Sequence, residues 1–395
     1  MPKLQVMPGF VPAIRSENDK NTLGLRFTAD HFPVSASFAI FLEQMAFGES
    51  TLDVNMDWGD QVTEKMNGRP ADLGAFAAKV KSAANRAFNT PVGRSIALHA
   101  YNMFGDLLTG NTQVIGGIQT TRRYVVVVSA PRHGGSYLTK ELYRATGVDH
   151  KTVPNFLAHD GYPDGGPFWY NMSDGLSVPA TRTTIQQTAE WLIMSDWFFR
   201  DMHPVDGYKS FVKKGTKMVY HADFFQGTFG PLTEWVVIVR HPVAGCVSLY
   251  EKAGGLPEDG LFPIRARSVI ERWVMESWIR DGFTPKQVGA MPYFTAYLHY
   301  WMRYHQTMAI GGMLRGNRRM TVLGYHPDQA ESFIKGQLNR YGVASDPNPE
   351  KFYCSGKAGK LHPDWVAEAA PVIADMKRLW ASFGVELPGV VDEVL

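Results

Sequence analysis

The chain has 395 residues, with 40 Lys and Arg against 38 Asp and Glu, 12 His and 2 Cys. An apolar share of 45% and a charged share of 20% belong to a globular chain long enough to bury a large core, and they exclude a wholly disordered chain or a disulfide scaffold. The net charge of +2 provides no field that would draw in nucleic acid or an acidic membrane, and no run reaches the roughly 18 apolar residues of a membrane span.

Met1 to Lys20 lacks the apolar centre of a signal peptide, and Cys246 and Cys354 are too few for a disulfide framework. Both features point to a reduced, cytoplasmic protein. Residues 1–30 read as irregular, and Phe38–Ala46, Leu73–Phe88 and Ser95–Leu108 carry apolar residues at helical spacing. Residues 1–118 are therefore expected to form a mainly helical N-terminal extension. It offers no nameable chemistry, and covering an acceptor site, forming a homo-oligomer and binding a partner are all open to it.

The pattern changes across residues 119–395, which are expected to form one α/β domain. Tyr124–Val128 is apolar on both faces, as in a central parallel strand, and a glycine turn then leads into a helix over Ser136–Thr146. Further strands are predicted at Thr216–Tyr220, Glu234–Arg240 and Met320–Tyr325. Helices are predicted at Gln187–Met202, Arg265–Asp281, Tyr293–Ile310, Pro327–Tyr341 and Pro363–Phe383. Strands alternating with helices predict a parallel sheet flanked by helices with right-handed crossovers. Lys209, Lys213, Lys214 and Lys217 read as a solvated face before the second strand, and the Gly/Pro-rich loop Pro154–Pro179 has the length of a binding lid.

Two junctions carry chemistry. Between the first strand and its helix lie Pro131, Arg132, His133, Gly134, Gly135, Ser136 and Tyr137. Free amides and the helix dipole at such a junction favour an anion, the glycines admit a close phosphate, and Ser136 and Arg132 add a hydroxyl and a fixed charge. The loop lacks the Gly-Lys-Ser/Thr ending of nucleoside-triphosphate sites, because Lys140 lies a turn too far into the helix. At the second junction the strand ends in Arg240, not in an acidic magnesium ligand. His241 and Pro242 follow, and Ser248 lies about two turns into the next helix. No His/Cys cluster has metal spacing, so no metal is expected.

These motifs resemble those of sulfotransferases that use 3′-phosphoadenosine 5′-phosphosulfate (PAPS). Pro131–Tyr137 is similar to the family's 5′-phosphosulfate loop, and Arg240, Pro242 and Ser248 match its second motif in spacing. The stretch Tyr353–Leu361, with Lys357 and Gly359, is similar to its late basic glycine loop. The resemblance covers about residues 122–385. His133 and Gly135 depart from the family's hydroxyl residues, and His241 departs from its Asn or Asp.

The resemblance implies a P-loop-like sulfotransferase fold that transfers a sulfuryl group from PAPS to a hydroxyl or amine of a small-molecule acceptor. It places Arg132 beside the bridging oxygen, Gly134, Gly135 and Ser136 on the 5′-phosphate, and Tyr137 against adenine. Arg240, Ser248 and Lys357 are placed on the 3′-phosphate, with His133 and Gly359 in the same loops. Position selects His221 as the general base, since sites gather beyond the carboxyl ends of parallel strands and histidine is poised to take a proton near neutral pH. His133, Asp223, His159 and Asp160 are the other candidates. The competing functions are a magnesium-dependent kinase on a similar sheet and a non-catalytic protein that binds 3′-phosphoadenosine 5′-phosphate (PAP).

Overall fold

The computed structural model describes residues 27–52, 73–154, 157, 163, 182–200, 207–315, 318–342, 352, 358–389 and 394. The N-terminal part folds as helices α1 (Ala36–Phe47), α2 (Leu73–Phe88), α3 (Pro91–Thr109) and α4 (Thr112–Thr121). Their ends follow from local chemistry. Ser35 and Thr90 accept backbone N–H groups as N-caps of α1 and α3, and Gly48 and Gly110 end those helices in the left-handed conformation that glycine adopts without strain.

The sheet has four parallel strands in the order β2-β1-β3-β4. They are β1 (Arg122–Ser129), β2 (Lys209–Lys214), β3 (Glu234–Val239) and β4 (Arg319–Gly324). Helices α5 (Gly135–Ala145), α6 (Arg182–Phe198), α7 (Ala222–Phe229), α8 (Pro242–Lys252), α9 (Val269–Arg280), α10 (Tyr293–Ile310), α11 (Pro327–Tyr341) and α12 (Pro363–Ala381) complete the α/β architecture. Tyr124–Val128 and Trp235–Val239 are almost completely buried, as apolar strands covered on both faces must be. The N-terminal helices share this core, with Phe38, Phe41 and Ala84 in one cluster with the sheet residues. Ser35 N–H donates to Glu190 on α6 at 3.2 Å, and the Tyr101 hydroxyl donates to the Pro33 carbonyl at 2.6 Å. Among the described residues no helix is long and apolar enough to cross a membrane.

The second strand is not where its β-branched residues suggest. Thr216–His221 is a 3₁₀ turn, and the strand is the lysine-bearing Lys209–Lys214. The expected solvated face is largely buried, and three of its four lysine ends find an oxygen. Lys209 Nζ donates to the Arg200 carbonyl at 2.6 Å, Lys213 Nζ to the Leu157 carbonyl at 3.0 Å, and Lys214 Nζ to Ser136 Oγ at 3.1 Å. This strand pairs with β1, so β1 separates it from the strand that runs into Arg240. The lid predicted at Pro154–Pro179 lies mostly outside the described residues.

Candidate functional site

The order β2-β1-β3-β4 makes the chain leave β1 toward β2 and then cross to β3 on the other side. The carboxyl ends of β1 and β3 therefore flank a topological switch point, where α/β sheets open a crevice for ligands. In register, Ser129 sits beside Ile238, and Val127 sits beside Lys214. Ala130, Lys214 and Arg240 thus come to one edge, and the phosphate-loop motif and the arginine motif meet there.

At the first junction the chain turns through Arg132, the single described non-glycine residue with positive φ, at 69°. That region costs an L-residue roughly 1–2 kcal/mol, and it is held by contacts on both sides. The Arg132 carbonyl accepts from Arg240 Nη1 at 3.1 Å, and Arg132 Nε donates to Ser248 Oγ at 3.0 Å. Gly134 follows at φ 85°, where an added Cβ would lie 3.0 Å from the Tyr325 ring. A Cβ on Gly135 would lie 2.3 Å from Ser129 Oγ. The glycines are thus required by packing as well as by turn geometry. Helix α5 makes its first capping bond from Leu138 N–H to the Gly134 carbonyl. The amides of Gly135, Ser136 and Tyr137 precede it, in the part of a helix whose N–H groups lack intrahelical acceptors and so suit an anion.

The second junction is built the same way. His241 caps α8 by accepting Val243 N–H at Nδ1, 3.1 Å away, with Pro242 in the first turn. That is the task an Asn or Asp side chain performs at an N-cap, which accounts for the histidine here. Arg240 is 7% exposed, with its guanidinium carbon 4.0 Å from the Tyr325 ring centroid. Tyr325 packs on Phe352 at 4.5 Å, and Phe352 meets Tyr137 edge-on at 5.0 Å. These rings form an aromatic wall from the first loop to the arginine.

Arg132, Gly134, Gly135, Ser136, Tyr137, Arg240 and Ser248 therefore converge. His133 lies in the same loop but faces inward. It is fully buried, its N–H donates to the Ala130 carbonyl, and its Nδ1 accepts Arg240 N–H at 3.1 Å. Its ring and amide are both committed to the protein, contrary to the expectation that it binds ligand. Burial, with the His305 ring and the Arg240 charge beside it, holds its pKa well below the usual imidazole value.

Lys357 lies outside the described residues, as do His159 and Asp160, and Gly359 sits in the single-turn helix Ala358–Leu361. His221 is fully buried at the join of the 3₁₀ turn and α7, beyond the carboxyl end of β2. Asp223 is ion-paired with Arg318. Three residues of this edge were not anticipated from the sequence: Lys214, Tyr325 and Phe352. Lys214 was hidden by its place in a lysine cluster. Tyr325 had a signal in its position as the last residue of a predicted strand.

The fold and site define an α/β protein with two strand-to-helix junctions joined at the switch point of a parallel sheet. The chain is similar to two solved structures. One is a sulfotransferase from Alicyclobacillus acidocaldarius, at 17% identity and a TM-score of 0.34, covering 68% of this chain and 98% of that one. The other is a sulfotransferase domain from the curacin biosynthetic pathway, at 12% identity and a TM-score of 0.35, covering 68% of this chain and 99% of the other. No family model matches the chain, and no curated protein matches it.

Proposed function

We propose that the protein transfers a sulfuryl group from PAPS to a hydroxyl or amine of a small-molecule acceptor. One observation carries the reading: two strand-to-helix anion sites lie side by side and are tied together by Arg132, which reaches Ser248 with its side chain and Arg240 with its carbonyl. A donor with separate 5′ and 3′ anionic groups fits such a pair. A triphosphate site would instead need a lysine at the loop's end and an acidic strand end for magnesium.

In this reading the amides of Gly135 and Ser136, with the Ser136 hydroxyl, hold the 5′-phosphate. Arg240 and Ser248 hold the 3′-phosphate, joined by Lys357, and Tyr137 supports the adenine. Arg132 and Lys214 offset the negative charge that develops on the bridging oxygen as the bond to sulfur breaks. Arg132 cannot give up a proton near neutral pH, so charge stabilisation is its whole contribution. His221 is the proposed base for the acceptor's proton, because Asp223 is held by Arg318 and the Nδ1 lone pair of His133 is occupied by Arg240 N–H.

Thermal unfolding with PAP, ATP with magnesium, and NAD tests the reading. At one hundred times its dissociation constant, PAP stabilises the chain by about 2.7 kcal/mol, whereas ATP and NAD do not. Sulfuryl transfer that continues in EDTA agrees with a site whose positive charge comes from its own residues. Stabilisation by ATP with magnesium and none by PAP would replace this reading with a kinase.

A further inference from the structure

Arg240 lies just past the end of β3, and side chains satisfy its peptide groups. Its N–H is accepted by His133 Nδ1 at 3.1 Å, and its carbonyl accepts Trp301 Nε1–H at 3.1 Å. The His133 ring is backed by the His305 ring, with centroids 5.9 Å apart, and His305 in turn packs on Trp301 at 4.2 Å. Helix α8 closes the other side. A Cβ on Gly245 would fall 3.2 Å from His133 Nε2 and 2.4 Å from the Tyr297 hydroxyl, so the helix leaves the imidazole its space by carrying glycine there. His133 Nε2 is buried with no hydrogen-bond partner. The ring's polar contacts are therefore with the backbone at the end of β3, at Arg240 N–H and at the Ile238 carbonyl.

We infer that His133 is a positioning residue: its imidazole pins the backbone of Arg240, and through it holds the arginine where a 3′-phosphate is read. The inference rests on the reading of this edge as a site for a 3′-phosphorylated nucleotide. It adds a physical link between the loop that takes the 5′ group and the residue that takes the 3′ group. A bond accepted at Nδ1 requires the neutral tautomer with hydrogen on Nε2. Burial beside Arg240 and His305 favours that neutral form.

The test uses two variants and two readouts. In His133→Asn, the side-chain Oδ1 takes the place of Nδ1 and keeps an acceptor for Arg240 N–H. In His133→Gln, the amide reaches further and leaves that N–H behind. Titration calorimetry with PAP should show Asn within ~3-fold of the wild type and Gln or Ala weakened ~10-fold, the scale of one buried hydrogen bond. Binding of adenosine 5′-phosphate, which lacks the 3′ group, should change less than ~2-fold in every variant.

Equal losses for both nucleotides, or Gln retaining affinity better than Asn, would overturn the inference. A wild type that binds neither nucleotide overturns the functional reading as well. The second readout needs no ligand. Long-range nitrogen–proton spectra of histidine-labelled protein, assigned by the resonance lost in His133→Asn, should show hydrogen on Nε2 and a bare Nδ1. Hydrogen on Nδ1 would sink the pinning role whatever the nucleotides do.

Discussion

Gly135→Ala tests the packing of the first loop without reference to any ligand. The new methyl would sit 2.3 Å from Ser129 Oγ, 3.1 Å from Lys214 Cε and 3.4 Å from Ser129 Cβ. The first distance is not survivable, the second requires the lysine stem to give by a few tenths of an ångström, and the third is ordinary contact. Ser129 is 1% exposed at the end of β1, and its hydroxyl has no hydrogen-bond partner. The clash is therefore with one atom that contributes little where it stands. Overpacking of this kind costs roughly 1–3 kcal/mol. Ser129→Ala alone should be close to neutral, since it removes an unsatisfied buried hydroxyl. In the double variant the offending oxygen is gone, and the cost of Gly135→Ala should fall by at least about 1 kcal/mol through coupling between neighbours. Urea unfolding of the wild type, both single variants and the double variant gives the cycle directly. Costs that simply add, or a Gly135→Ala chain as stable as the wild type, would refute the packing described for this turn.

Legibility followed the kind of signal each element carries. The strands β1 and β3 were visible because Tyr124–Val128 and Trp235–Val239 are apolar without interruption, which is what burial on both faces demands. Strand β2 was not, because Lys213 and Lys214 are charged at their tips yet 1% and 8% exposed. Composition cannot reveal that the Leu157 carbonyl and Ser136 Oγ wait for them. The adjacent Thr216–Tyr220 segment drew the strand assignment through Val219 and Tyr220, whose burial comes from 3₁₀ packing. Helix α4 was missed because Gly116, Gly117 and three threonines lower its helical propensity. At the candidate site, the two junctions that bring Arg132, the two glycines, Arg240 and Ser248 to one sheet edge were legible from the apolar strands and the turns that end them. The inward turn of His133 was not, since a histidine in a glycine loop reads the same whether it faces ligand or backbone. His241 and His326 show the same blindness: both cap helices through Nδ1, ahead of a proline, and nothing in the residue type announces a cap.

Three further outcomes are expected. Arg240→Ala should weaken PAP binding by roughly 1.5–3 kcal/mol, the scale of a charge-assisted hydrogen bond, and calorimetry should find a smaller loss for adenosine 5′-phosphate; equal losses would remove Arg240 from the 3′-phosphate. Stability should fall on acidification through the buried histidines. His305 is pushed down by burial to about 4 from 6.5, and His133 is lowered in the same direction. Both favour the folded state fully above pH 6.5, because the unfolded chain binds the proton more readily below that value. His305 alone should withdraw roughly 3 kcal/mol as pH falls from 6.5 to about 4, and a urea midpoint unchanged over that window would contradict it. The last expectation concerns His221, fully buried where the turn after β2 enters α7. His221→Ala should lower turnover by roughly 10²–10⁴-fold, the usual share of general-base catalysis. It should leave PAP affinity nearly unchanged, because none of the proposed phosphate contacts involves it. A variant that loses nucleotide affinity in step with turnover would mark His221 as a packing residue, and one that keeps most of its activity would mean that the acceptor, as a phenol or an amine can, attacks without a base.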